Sequence, residues 1–320
     1  GNPTGLPVSW SFLKKDLVTT QGDMVNCSFC LGGLTVNTEN RIEHSLLLDG
    51  APEYASFLCS AASSDADIQI TMKNSSDSFG MTAGNSLFSA DNLEVRTCED
   101  GYQILRYWSE KQRPFASILT DNSFCQFDYC FYPDAIPVPK SRVVDPWKAA
   151  IDAVLFQHIF INHSGVIIHA GGGSVQGKGM IFAGTSGAGK STLSELLCSS
   201  PDNQLFSDER LVIRFSDHKW NIWGTPWQGT GNIARNETAP LSALVFLKQA
   251  ERTKINELTP SQGLHRLLQV VSIPWYSEKW TNKGLAVCEP LIQDIPMFEL
   301  AFRADETAVQ AVEELASGLP

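Results

Sequence analysis

An α/β fold is predicted for this chain: a β-rich N-terminal domain, then a domain with a mixed sheet and flanking helices. Three observations predict it. Residues 1–135 alternate short apolar or period-two runs with turn-rich stretches. A Pro-rich stretch, Tyr132–Pro139 (YPDAIPVP), follows and reads as a linker. Beyond it, strand and helix patterns succeed one another around one strand–glycine loop–helix unit. The expected boundaries are 1–140 and 141–320.

In the first half, Ser45–Leu48, Ile68–Met72 and Gln103–Trp108 read as strands, and Ser63–Ala66, Asn74–Asp77 and Glu99–Gly101 as turns. No internal repeat and no catalytic constellation stands out there. In the second half, Asp145-Pro146 reads as a helix start, with Asp as N-cap and Pro at the first helical position. Apolar spacing carries that helix from Trp147 to about Ile161 and makes His158 a packed or surface histidine. Gly165–Ala170, Gly171–Val175 and Gly179–Gly184 read as strands, the last two joined by a hairpin turn at Gln176–Gly179. Further strands are expected at Gln204–Ser207, Arg210–Phe215, Trp220–Trp223, Leu241–Leu247 and Met297–Phe302. Helices are expected at Ser191 to Cys198, Pro260–Val271 and Asp305–Ser317, and Asp217-His218-Lys219 reads as an exposed turn.

Composition narrows the function classes. The chain has 320 residues, 43% hydrophobic and 18% charged, enough for two ordinary cores. No apolar run approaches the roughly 18 residues of a membrane span, and the start GNPTGLPVSW lacks the features of a secretory signal. A cytoplasmic location is expected. The net charge of −11 argues against a nucleic-acid partner, since phosphate neutralisation carries most of such affinity. The eight cysteines are too sparse for a disulfide scaffold. Cys27 and Cys30 make one C-x-x-C, with Cys125 and Cys130 further on, and no second C-x-x-C completes a zinc site. Reduced thiols are the favoured reading.

The strongest local signal is Gly184-Thr185-Ser186-Gly187-Ala188-Gly189-Lys190-Ser191-Thr192, a full G-x-x-x-x-G-K-[ST] P-loop (Walker A). An apolar strand precedes it and a helix pattern follows. The glycines let backbone N–H groups curl toward phosphate, and the helix adds the positive end of its dipole. Lys190 would neutralise phosphate oxygens, and the Ser191 hydroxyl would ligate Mg²⁺. These residues point to a nucleotide such as ATP with Mg²⁺. Seventeen residues past Ser191, Asp208 and Glu209 end a short apolar strand, where a P-loop protein places acids for metal or nucleophile. Alone, such a pair is usually a solvated turn.

Three blocks resemble the catalytic domain of HPr kinase/phosphorylase and HPr-kinase-like bacterial proteins, whose P-loop architecture is shared with phosphoenolpyruvate carboxykinase. They are Gly165–Ala170 with His169, the P-loop, and Ser207-Asp208-Glu209-Arg210. Ala234-Arg235 is a weaker match. The resemblance covers about 147–303 and implies an HPr-kinase-like P-loop domain. It implies a Mg²⁺-dependent kinase moving a phosphoryl group from ATP or pyrophosphate to a hydroxyl of a protein serine or small molecule. By that resemblance Ser191 with Asp208 or Glu209 would hold the metal, and Asp208 would be the general base. His169 would lie near the transferring phosphate, and Arg235 would stabilise charge in flight. Family members are often oligomers, although no interface signature is visible here. The bland readings are a core histidine for His169, a surface arginine for Arg235, and aromatic core for the Trp-rich run Trp220–Trp227, which would otherwise shape a pocket.

The sequence departs from the family at two places. Glu209 stands where a second Asp is usual, and Gln228-Gly229-Thr230-Gly231 lacks the family's Glu and Arg. This argues against HPr as acceptor. Two other functions are consistent with the loop: a nucleotide hydrolase, and a nucleotide-binding module with little turnover that assists a modification pathway or partner. The Gln228 departure favours the module; Asp208 and Lys190 favour catalysis.

Overall fold

Period-two alternation in the first half produces one mixed sheet. A computed structural model describes residues 27–41, 52–59, 66–74, 84–90, 92–107, 113–132, 135, 152–185 and 187–320. Its first nine strands are β1 (Cys27–Leu31), β2 (Leu34–Arg41), β3 (Leu58–Cys59), β4 (Ile68–Asn74), β5 (Ser86–Ser89), β6 (Leu93–Thr97), β7 (Gly101–Arg106), β8 (Ala116–Asp121) and β9 (Gln126–Phe131). They lie in the order β3-β1-β2-β4-β9-β8-β7-β6-β5, parallel only where β4 meets β2 and β9. The strand expected at Ser45–Leu48, most of the Pro-rich linker, the Asp145-Pro146 helix start and the turn at Ser75–Asp77 lie outside the described residues.

The second half contributes β10 (Gly165–Val175), β11 (Lys178–Ala183), β12 (Asn203–Ser207), β13 (Arg210–Ser216), β14 (Lys219–Trp223), β15 (Thr238–Gln249), β16 (Lys254–Glu257), β17 (Val271–Ser272) and β18 (Met297–Phe302). Its helices are α1 (Ala153–Asn162), α2 (Lys190–Leu197), α3 (Pro260–Leu267), α4 (Glu278–Asp294) and α5 (Glu306–Gly318). The two expected runs before the hairpin are one strand, β10. It changes partner midway, pairing with β13 through Gly165–His169 and with β11 through Ala170–Val175. β15 does the same, with β14 up to Pro240 and β11 from Leu241 onward. The parallel β11–β15 pair thus closes the run β11-β10-β13-β14-β15 on itself, with β18 and β16 continuing beyond it.

These central strands are buried on both faces, as parallel pairs require. Ile181, Ala183, Leu244 and Phe246 face one apolar cluster, and Met180, Phe182, Ala243, Val245 and Leu247 face the other. The second cluster includes Leu193 and Leu197 of α2 and Val312 and Ala316 of α5. The first runs without a break through α1 into the N-terminal sheet, where Leu155, Phe156 and Ile159 meet Ile70, Ile118, Phe127 and Tyr129. The Gly32 carbonyl in the β1–β2 turn also accepts from the Arg214 guanidinium at 2.8 Å.

α1 starts at Ala153, where the Asp152 carboxylate caps the Val154 N–H at 2.6 Å. α3 starts with a capping box between Thr259 and Gln262. The pattern offered no sign of α4, the longest described helix, because Gly284 and an internal Pro290 interrupt it. Tertiary packing overrides both breaks: Trp280 is fully buried, and Gly284 faces Ile273 where no Cβ would fit.

His158 is a core histidine, 1% exposed. Its ring stacks on Phe124 at 4.5 Å and meets Trp280 edge-on, and Nε2 shares a 2.6 Å hydrogen bond with the Tyr276 hydroxyl. Burial pushes its pKa down from 6.5 to about 4. Between those values the unfolded chain takes up a proton that the folded chain refuses. The stability due to the neutral ring is therefore complete above pH 6.5 and is lost as pH falls toward 4. The loss is about 3 kcal/mol. Urea denaturation across this range should show that slope in the native protein and a flatter one in His158→Gln. Equal slopes would contradict the assignment.

Candidate phosphate-binding site

Strand β11 delivers the chain into the loop Gly184–Thr192, and α2 takes it out. The turn is closed by the Ala188 N–H donating to the Thr185 carbonyl at 3.1 Å. Gly189 precedes the helix at φ +100°, and a Cβ there would meet the Phe302 ring at 2.7 Å. Both facts require glycine. No side chain caps α2, so the first-turn N–H groups at Lys190, Ser191 and Thr192 have no helical acceptor. Ser191 and Thr192 are exposed. Ser186 lies outside the described residues.

The Lys190 ammonium folds back over this loop, donating to the Gly184 carbonyl at 2.7 Å and the Thr185 carbonyl at 3.4 Å. From β15, the Gln249 amide donates to the Gly187 carbonyl at 2.7 Å and steadies the tip. Burial lowers the Lys190 pKa, and the Glu209 charge opposes that shift. Glu209 also lies 3.3 Å from His169 Nδ1, both side chains about one-third exposed. Burial holds the His169 imidazole below its usual pKa; Glu209 pulls it up, while Lys190 and Arg210 push it down. Lys190, Glu209 and His169 thus form one electrostatic group. It arises because β10 pairs His169 with Arg210 and the Ala170 N–H bonds the Glu209 carbonyl.

Asp208, the neighbour of Glu209, is bonded to main chain. It is only 4% exposed, and its carboxylate accepts backbone N–H groups from Gly231 at 2.6 Å, Gly229 at 2.9 Å and Ile233 at 3.3 Å. These bonds tie it to the segment 229–233. Cβ atoms at Gly229 or Gly231 would come within 2.9 Å of the same oxygen, so the Gly-Thr-Gly run is what lets the chain approach. That role of Gly229 and Gly231 was missed in sequence, where the run registers only as a departure from a family pattern. The Arg235 side chain is exposed, and its charge acts on the Cys198 thiol at the far end of α2. An eight-residue helix puts about 12 Å between that end and Lys190. The structure therefore groups His169, Glu209 and Lys190, sets the main-chain-bonded Asp208 carboxylate beside Glu209 at Gly229, and leaves Arg235 toward the far end of α2.

Cys27 and Cys30 are three residues apart on strand β1, so their side chains leave opposite faces. Burial raises the Cys27 thiol to about 11 and the Cys59 thiol to about 12, which disfavours thiolate ligands. Among the described residues, no group of three or more His, Cys, Asp or Glu is placed to hold a metal ion. No described helix is long and apolar enough to cross a membrane.

Residues 141–313, more than half of the chain, match the family model described as SynChlorMet cassette protein ScmC. No curated protein matches. Among solved structures, the Hpr(Ser) kinase/phosphatase from Coxiella burnetii aligns at 10% identity over 47% of this chain and 88% of that one, with a TM-score of 0.29. That likeness is too low to support a shared fold or activity.

The family match corrects the resemblance to HPr kinase/phosphorylase. The β-rich first sheet and mixed second region stand as expected, but the second region is a ScmC region and not an HPr-kinase-like domain. The kinase and hydroxyl-directed phosphotransferase assignments fall with it, as does the naming of Gly184–Thr192 as the Walker A loop of such an enzyme. The geometry is consistent with this: the Asp208 carboxylate accepts three main-chain amides, which hold it to the segment 229–233.

If Asp208 is the tether of segment 229–233, Asp208→Ala should cost about 3 kcal/mol of stability by stranding its amide donors. Hydrogen exchange should show the Gly229, Gly231 and Ile233 amides losing protection. Unchanged protection would rule the tether out.

Proposed function

The chain belongs to the SynChlorMet cassette protein ScmC family, and on that premise we propose that it is a nucleotide-binding module with little turnover, assisting a modification pathway or partner. The description of the family as a cassette protein fits a component that works beside others. The observation that carries the reading is the loop 184–192, where an uncapped helix start meets a lysine bonded to the loop's own carbonyls. A phosphate placed there would receive first-turn N–H groups and the helix dipole, and would draw Lys190 off Gly184.

ATP with Mg²⁺ is the proposed ligand. The donor set suits it: exposed Ser191 lies in the first turn of the helix, and the Glu209 carboxylate is close enough for its charge to act on Lys190. Bound Mg²⁺ would supply neutralisation of the phosphate oxygens. Gly184, Thr185, Ser186, Gly187, Ala188, Gly189, Lys190, Ser191 and Thr192 make the proposed phosphate cradle. The commitment of Asp208 to backbone and the position of Arg235 support binding over transfer, since phosphoryl transfer needs a positioned base and a cation at the moving group. The eight free thiols support a reducing, cytoplasmic setting.

Calorimetric titration with Mg²⁺ and ATP tests the reading. The native chain should bind, and Lys190→Ala should bind at least about tenfold more weakly, the loss of one charge-assisted contact. Equal affinity in the two proteins would contradict the cradle.

A further inference from the structure

A second opening lies beside this site and is explained by none of the roles above. A cavity of about 370 Å³ separates the Pro52–Phe57 turn of the first half from the start of α1 and the loop Pro226–Gln228. Its volume falls at the small end of ligand pockets, which begin at roughly 300 Å³. Tyr54 and Trp227 wall it with aromatic surface. Both rings are braced from behind: Tyr54 edge-on against Phe29 at 6.3 Å, and Trp227 against Phe156 at 5.9 Å. The walls are therefore held in place before anything binds.

Arg210 provides the polar end. Its backbone is engaged, the N–H donating to Ser207 Oγ at 3.1 Å and the carbonyl accepting from Thr225 Oγ1 at 2.7 Å. Its guanidinium, half-buried at the cavity, has no hydrogen bond or ion pair among the described residues. A guanidinium in that setting favours an anionic partner with two oxygens. Asp152, on the same cavity, does not serve: it is ion-paired with Arg106 at 3.0 Å and caps Val154. Glu53 also lines the cavity, and the remaining lining is neutral.

We infer that this cavity binds a free carboxylate attached to an apolar or aromatic body of amino-acid size, as in an amino acid or the last residue of a peptide. Arg210 takes the carboxylate, and Tyr54 and Trp227 enclose the body. The charge of Arg210 also acts on His169, so the carboxylate subsite adjoins the phosphate loop while using none of its residues. The inference stands whether or not the loop binds nucleotide.

The test is calorimetric titration of the full chain, without nucleotide, with N-acetyl-phenylalanine, its amide, and a tripeptide ending in phenylalanine with free or amidated C-terminus. The acids should bind and the amides should not. Arg210→Ala should weaken the acids at least about tenfold, as loss of a charge-assisted pair does. Arg210→Lys should retain part of the affinity, and circular dichroism should show both variants folded. Tighter binding of the tripeptide acid identifies a peptide end as the source, and tighter binding of the single residue a free amino acid. No binding of any acid at millimolar concentration, equal binding of acid and amide, or full affinity in a folded Arg210→Ala variant would each overturn the inference.

Discussion

A buried carboxylate organises this half of the molecule. Asp208 leaves the end of β12 and gathers the N–H groups of Gly229, Gly231 and Ile233. A buried charge is tolerated only when it is paired or hydrogen-bonded, and here the donors are main chain. The consequence is positional. The segment after Trp227 is laid along β12, where Ser207 bridges Ala234 and the Arg235 N–H bonds Phe206. With that wall fixed, the two residues that follow Asp208 are assigned to different places: Glu209 beside His169 and Arg210 to the cavity beneath Trp227.

The sheet carries the same division outward. β10 and β15 each change partners along their length, so a continuous strand can hold His169 at one end of its pairing and support β11 at the other. Alternate residues of β11 and β15 fill two separate apolar clusters, and α2 is pinned by the second. The loop between β11 and α2 is thus held at both ends by packed elements. The N-terminal sheet shares the first cluster through α1 and supplies Tyr54 to the cavity wall.

Much of this was legible in the residues, and the failures have causes. Strong period-two runs placed β12, β13, β14 and β18 to within about a residue, and the Gln176-Gly177 hairpin and the Asp217-His218 turn fell at positive-φ positions. α4 was hidden because Gly284 and Pro290 weaken a helix that only Trp280 and its neighbours stabilise. The loop 184–192 was plain from its glycines and Lys-Ser. The role of Asp208 was not, because a carboxylate beside a phosphate loop looks the same in sequence whether it faces a ligand or the main chain. The Gly-Thr-Gly run was the signal: two glycines around one residue mark a close backbone approach. The family resemblance drew weight from short motifs shared by many phosphate-binding proteins, and the match over 141–313 replaced it.

The central claim is that the loop holds nucleotide without driving its chemistry. Following the fate of the γ-phosphate tests this most directly: the purified chain is incubated with Mg²⁺ and labelled ATP, and bound, released and transferred label are separated. The account predicts label retained as intact nucleotide on the protein, with less phosphate released than protein present. Phosphate released in many-fold excess over protein would contradict it.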